Sequence, residues 1–258
     1  VILGDEIYLT VDEAQDGFDW DPMVVDASVL LHWSSSVGMV TRVDTLDLAF
    51  AGELPRAVDG RLYYSAAATF LATDETNLRV IDEAMPTTPA IVLNEAGAGN
   101  VRAHVIGEDE ELLFCTIDET EDGMIRNGDG DSLDQHVLAL LDGTDPAATL
   151  RNVGLALASQ SEPLAANNLG ANHWLVAFLV DETFQGGNLN DQTLFTQPLL
   201  PENCALTPDV DMLDQVLFFL DFTAAGAVMP VNTGLAGHDR VLVLDGFVAT
   251  ISAEADAN

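Results

Sequence analysis

Short apolar or alternating runs recur along the chain between turn signals, and about thirteen of them read as strands. They include residues 6–11, 24–33, 39–50, 61–72, 100–106, 112–117, 136–141, 151–158, 173–180, 192–200, 215–222 and 240–252. The clearest period-2 pattern is Leu46, Leu48 and Phe50 alternating with Asp47 and Ala49. Valine, threonine, phenylalanine and leucine dominate these runs, as suits a pleated, half-buried surface. Between them lie the turn dipeptides Asp59-Gly60, Asn127-Gly128, Asp142-Gly143, Gly186-Gly187 and Asp245-Gly246.

Many short strands with frequent Gly/Asp turns predict an all-β fold: an antiparallel β-sandwich of jelly-roll type with little helix. Residues 208–220 carry a helix-like apolar face through Val210, Leu213, Val216, Leu217 and Leu220. The β-rich surroundings assign the second half of that segment, 215–222, to a strand.

The expected organisation is a single large β domain over 1–258. The most polar stretch, 108–134, marks where it would divide, near 120–135, into two smaller β units. A small echo runs through the chain: Asp-Glu-Thr follows an apolar run at Asp74-Glu75-Thr76, Asp118-Glu119-Thr120 and Asp181-Glu182-Thr183. The spacing is unequal, so this is no solenoid repeat. It reads either as a set of similar strand ends or as coincidence in an acidic chain.

Charge changes the picture most. The chain holds 43 acidic residues and 8 basic ones, all arginine, for a formal net charge of −35. Like charges 4 Å apart cost about 1 kcal/mol each at the dielectric of water. Molar salt shortens the screening length to about 3 Å and removes most of that cost. A lysine-free acidic surface is therefore tolerable in brine and costly in dilute buffer, and the expected setting is extracellular or virion, at high salt. A disordered acidic tail is excluded, because the chain is 48% hydrophobic with mean hydropathy +0.20. Scattered arginines make no basic stripe, which argues against nucleic acid and anionic membrane surfaces as partners. No apolar stretch reaches the roughly 18 residues of a membrane-spanning helix. The opening at Val1, with no basic leader, suggests processing.

Candidate chemistry is sparse. Asn127, Asp129, Asp131 and Asp134 form the strongest constellation. Oxygen ligands at alternate positions 1, 3 and 5 resemble the opening of a calcium loop. Position 6 is Ser132 where glycine is needed, and position 12 is Leu138 where a bidentate glutamate would close the site. The expectation is a weaker calcium or sodium site on the turn, set against a plain solvated acidic loop, with no cofactor required.

The five histidines are scattered, and His32, His104 and His173 adjoin apolar residues, which makes them strand residues rather than metal ligands. Cys115, inside an apolar run, reads as a buried small hydrophobe, and Cys204 lies in a turn-rich segment. Absent lysine removes Schiff-base and P-loop chemistry. No nucleophile elbow or dinucleotide loop is present, and no catalytic residue is assigned.

The expected function is therefore non-enzymatic: a structural subunit of an extracellular or virion assembly, a capsid or surface shell. Its partners would be copies of itself and other shell subunits. The alternatives are a secreted, cation-stabilised β-sandwich binding module and a halophilic hydrolase using paired carboxylates.

Overall fold

The computed structural model describes residues 1–12, 28–46, 55–58, 60–69, 72–87, 89–91, 104–105, 112–134, 136–142, 151–157, 164–170, 173–190, 212–223, 226–244 and 247–251. These form strands β1 (Ile2–Leu3), β2 (Glu6–Asp12), β3 (Ser28–Ser34), β4 (Val40–Leu46), β5 (Arg56–Val58), β6 (Arg61–Thr69), β7 (Ala72–Asp82), β8 (Ala90–Ile91), β9 (His104–Val105) and β10 (Leu112–Ile117). A single helical turn, α1 (Glu119–Asp122), precedes β11 (Val137–Asp142), β12 (Arg151–Ala156), β13 (Leu164–Asn168) and β14 (His173–Asp181). A second, α2 (Glu182–Gln185), precedes β15 (Gln215–Thr223), β16 (Val231–Ala236), β17 (His238–Leu244) and β18 (Phe247–Ile251). The protein is nearly all β, with antiparallel pairing throughout the described ladders.

Each sheet takes its strands in chain order. The largest runs β1-β2-β3-β4-β6-β7-β8 with β5 on β6, and two four-stranded sheets run β9 to β12 and β13 to β16. A two-stranded sheet, β17-β18, follows. This is meander-like topology, in which strands pair with sequence neighbours except where β4 pairs β6, and the connections range from tight turns to the long stretch between β14 and β15. The crossed connections that define a jelly roll are not found among the described pairings. The chain divides into two compact units, 1–124 with 139–151, and 125–138 with 152–258.

In the first unit, Leu3, Tyr8, Leu30, Leu62, Tyr64 and Ile81 form the core, with Val43 against it. Tyr64 donates to Asp44 Oδ2 at 2.8 Å, and Arg79 Nη1 binds the same oxygen at 2.7 Å. Burial first, and then the Asp44 carboxylate, hold the Tyr64 phenol far above its usual range. Tyr8 is likewise pushed up, to about 12, by burial and by Glu6 and Glu83. His32 is a buried strand residue, its Nε2 at 2.8 Å from Glu6 Oε2.

In the second unit, β14 is buried almost end to end. Its cross-strand partners on β15 include aromatic pairs: Trp174 with Phe222 at 5.9 Å and Phe178 with Phe218 at 6.3 Å between ring centroids. Such pairs add to the area term of burial. Ala177, Leu179 and Leu217 pack against Val241, Val243 and Val248, so β17-β18 lies face to face on the sheet of β13 to β16. That is β-sandwich-like packing.

Several expectations are refined. The run 240–252, expected as one strand, holds parts of two, β17 and β18, which pair antiparallel. Strands β7, β13 and β16 were not foreseen. Residues 215–223 are a strand, as the β-rich surroundings indicated. Cys115 is buried, as expected of a small hydrophobe. Asp74-Glu75-Thr76 lies within β7, not at a strand end. Residues 47–50, which hold most of the clearest alternation, residues 192–200 and Cys204 lie outside the described residues.

Candidate functional site

The loop 127–134 lies in the second unit and folds by Asx turns. Asp129 N–H donates to Asn127 Oδ1 at 3.2 Å, Asp131 N–H to Asp129 Oδ1 at 3.0 Å, and Leu133 N–H to Asp131 Oδ1 at 2.9 Å. Short acidic and amide side chains favour this pattern, which turns the backbone without a ladder partner. Gly128 and Gly130 take φ of 80° and 109°, conformations that a Cβ would oppose.

The result gathers one carboxylate oxygen from each of Asp129, Asp131 and Asp134 within 4.8 Å of the others. A hard cation with oxygen ligands at about 2.3–2.6 Å could bridge oxygens at that separation. Asn127 plays a different part from the three acids. Its Nδ2 donates to Asp134 Oδ2 at 2.6 Å and to Phe184 O at 2.9 Å, so it pins the loop and orients Asp134.

The loop is docked on α2. Gln185 Nε2 donates to Asn127 O at 3.1 Å, while its Oε1 accepts from Ala156 N–H at 3.0 Å. Gly186 approaches so closely that an added Cβ would lie 3.1 Å from Asp129 Cβ.

A second carboxylate feature was not foreseen. Glu182, fully buried, accepts from Leu189 N–H at 2.5 Å, Asn190 N–H at 3.2 Å and Asp214 N–H at 3.3 Å. Asn190 Nδ2 also donates to Asp214 Oδ2 at 2.8 Å. Glu182 thus clasps both ends of the excursion between Asn190 and the start of β15. Burial pushes its carboxyl above the ordinary range, the three N–H bonds pull it back, and Asp214 adds to the rise.

The Asp-Glu-Thr echo now has a local structural meaning at two of its three places. Asp118 and Asp181 each cap a helical turn, accepting from Thr120 and Thr183 N–H. Glu119 and Glu182 follow, both fully buried. Gly123 and Gly186 end the turns in the left-handed region, at φ 68° and 67°. Eight residues after each glutamate stands a buried asparagine, Asn127 or Asn190, whose amide donates to an aspartate. The sequence signal that could have found this is hydrophobe-Asp-Glu-x3-Gly-x3-Asn/Asp. It recurs at Val11-Asp12-Glu13, Gly17 and Asp21, where residues 13–27 lie outside the described ones.

Among the other histidines, His173 is bonded to Asp221 on the neighbouring strand. No family model and no curated protein matches the sequence. Among solved structures, the chain is similar to a prolyl oligopeptidase B from Galerina marginata bound to a macrocyclization substrate, at 9% identity and TM-score 0.32. The match covers 82% of this chain and 24% of that one, so the chain spans about a quarter of that protein's length.

Proposed function

We propose that the protein is a non-enzymatic structural subunit of an extracellular or virion assembly adapted to high salt. One observation carries this reading. A chain of net charge −35 leaves Met229, Val231, Leu235, Leu242, Leu244 and Phe247 exposed on consecutive elements of one unit. Exposed apolar surface of this kind marks association sites. Brine strengthens its burial and screens the carboxylates that would otherwise hold copies apart.

The test is sedimentation mass as a function of salt. Assemblies in molar KCl should fall to monomers in dilute buffer with chelator. A monomer in both solutions overturns the reading. The second reading, a cation-stabilised binding module, is favoured by the Asp129, Asp131 and Asp134 cluster. It predicts a monomer in brine whose melting temperature rises with calcium.

A further inference from the structure

We propose that copies of this chain stack head to tail, the exposed apolar face of the β17-β18 sheet in one copy receiving the exposed apolar face of β1, β2 and β4 in the next. The inference rests on the assembly reading above and names the contact that would make it.

The first argument is a repeat that unequal spacing conceals. Strand β12 holds Asn152-Val153-Gly154-Leu155-Ala156, and β16 holds Asn232-Thr233-Gly234-Leu235-Ala236. Gly154 N–H donates to Asn152 Oδ1 at 2.8 Å, and Gly234 N–H to Asn232 Oδ1 at 2.7 Å. Asn152 Nδ2 donates to Arg126 O, and Asn232 Nδ2 to Leu189 O, both at 2.6 Å. Arg126 and Leu189 each stand directly before the asparagine of the Asp-Glu-x3-Gly-x3-Asn motif. The same bonds therefore tie the same positions, and β9 to β12 and β13 to β16 are two copies of one unit. Strands β1 to β4 are a third, since β2 leads into Asp12-Glu13 as β10 and β14 lead into Asp118-Glu119 and Asp181-Glu182. The β17-β18 sheet follows Leu235-Ala236 as β13-β14 follows Leu155-Ala156. Its register is that of β1-β2: Val243 opposes Val248 and Leu244 opposes Phe247, as Ile2 opposes Ile7 and Leu3 opposes Glu6.

That match assigns the faces. Val243 and Val248 seal β17-β18 onto Ala177, Leu179 and Leu217 of the preceding sheet. Ile2 and Ile7 hold their places in the first unit, yet Ile2 is 68% exposed, and Leu9 and Val40 on the same face are 46% and 41% exposed. The opposite face reverses the contrast. In the first unit it is covered, with Leu3 and Tyr8 buried among Leu62, Tyr64 and Ile81. In β17-β18 it is bare, with Leu242, Leu244 and Phe247 65%, 71% and 75% exposed. So the face bare on β1 to β4 is the kind that covers, and the face bare on β17-β18 is the kind that is covered. Joining them continues the sheet-on-sheet packing that the fold already makes.

Charge selects a second copy as the occupant. The chain has 43 acidic residues, yet Leu242, Leu244, Phe247 and Ala249 share a face without a carboxylate. So do Ile2, Ile7, Leu9 and Val11, with Trp33 and Leu31 beside them. Two chains of net charge −35 can meet there without setting carboxylate against carboxylate, and brine strengthens the burial. A contact between unlike faces is heterologous and passes from copy to copy.

The test is complementation between two variants in molar KCl. Leu244→Glu with Phe247→Glu blocks one face, and Ile2→Glu with Leu9→Glu blocks the other. Each variant alone should sediment as a monomer, because every contact then includes a blocked face. Mixed in equal amounts, they should form a species of twice the monomer mass and stop there, since one intact pair of faces remains. Glutamine replaces glutamate at the same positions if either variant fails to melt cooperatively. A contact between two like faces would instead leave one variant assembling alone. Sedimentation of the unmodified protein in the same brine separates the failures. If it assembles while a variant also assembles alone, or while the mixture stays monomeric, the stacking is overturned and the assembly reading stands. A monomer overturns both.

Discussion

Glu182→Ala removes the carboxylate that accepts from three backbone N–H groups, that of Asn190 in a buried bond and those of Leu189 and Asp214 in part-buried ones. A buried donor left without its partner costs about 1–3 kcal/mol. The cost therefore starts at about 1 kcal/mol for Asn190, with smaller additions from the two part-buried groups, less whatever is regained by removing a buried charge. Glu182→Gln is milder. Its Oε1 keeps Leu189 and Asn190, while its amide meets the Asp214 N–H donor to donor, so that only a part-buried bond is lost.

The pH dependence separates this account from generic damage. Burial holds the folded-state carboxyl above its unfolded value of 4.5. A group raised in this way contributes stability fully below the unfolded value and loses it as pH rises through the folded one. Glutamine does not titrate. The wild type should therefore exceed Glu182→Gln by most at acid pH, with the gap shrinking toward neutrality. Urea unfolding of both proteins in molar KCl across that range gives the gap directly. Hydrogen exchange at the Leu189 and Asn190 amides locates the effect at the clasp. An alanine variant within about 0.5 kcal/mol of wild type, or a gap that is flat or widens as pH rises, would refute the reasoning.

Two further outcomes follow from the loop. Gly186→Ala must place a Cβ at φ 67° and 3.1 Å from Asp129, whereas Gly123→Ala at φ 68° meets nothing within 4 Å. Both should lower the thermal midpoint through the left-handed cost of about 1–2 kcal/mol, and Gly186→Ala should lower it further. The double change Asp129→Asn with Asp131→Asn should abolish any rise in melting temperature that calcium gives the wild type. In dilute buffer with chelator the same variant should be the more stable protein, since each relieved carboxylate pair is worth about 1 kcal/mol near 4 Å. Calorimetry with and without calcium checks both.

The strands most visible in the sequence are those whose own residues bury both faces. Residues 112–117 were expected as a strand and form β10 over the same bounds, all six positions buried. Strand β14 is similar. What escaped are strands made by their neighbours. Leu-Ala-Ala-Asn-Asn in β13 and Val-Asn-Thr-Gly-Leu-Ala in β16 are weak β formers alone, held by the ladders of β14 and β15. Pairing overrides local preference there.

The candidate site divides the same way. Alternating acids at Asp129 and Asp131 are readable because Asx turns are local. Glu119 and Glu182 were hidden in plain composition. In a chain this acidic, one more carboxylate reads as surface coat, yet these two are fully buried. Only their shared spacing to a following glycine and asparagine set them apart, and burial is settled by partners far along the chain.

The clasp has a consequence for how such a protein can change. Its first counterpart joins Asn127 to an aspartate seven residues on, and its second joins Asn190 to one twenty-four residues on. The amide-to-carboxylate bond is the same in both. Closing the longer span costs only about 1 kcal/mol more in chain entropy, since that cost grows with the logarithm of length. Once the ends are fastened, the register of the strands on either side is insulated from what lies between. The position is a splice point, where chain can be gained or lost without renegotiating the β ladder.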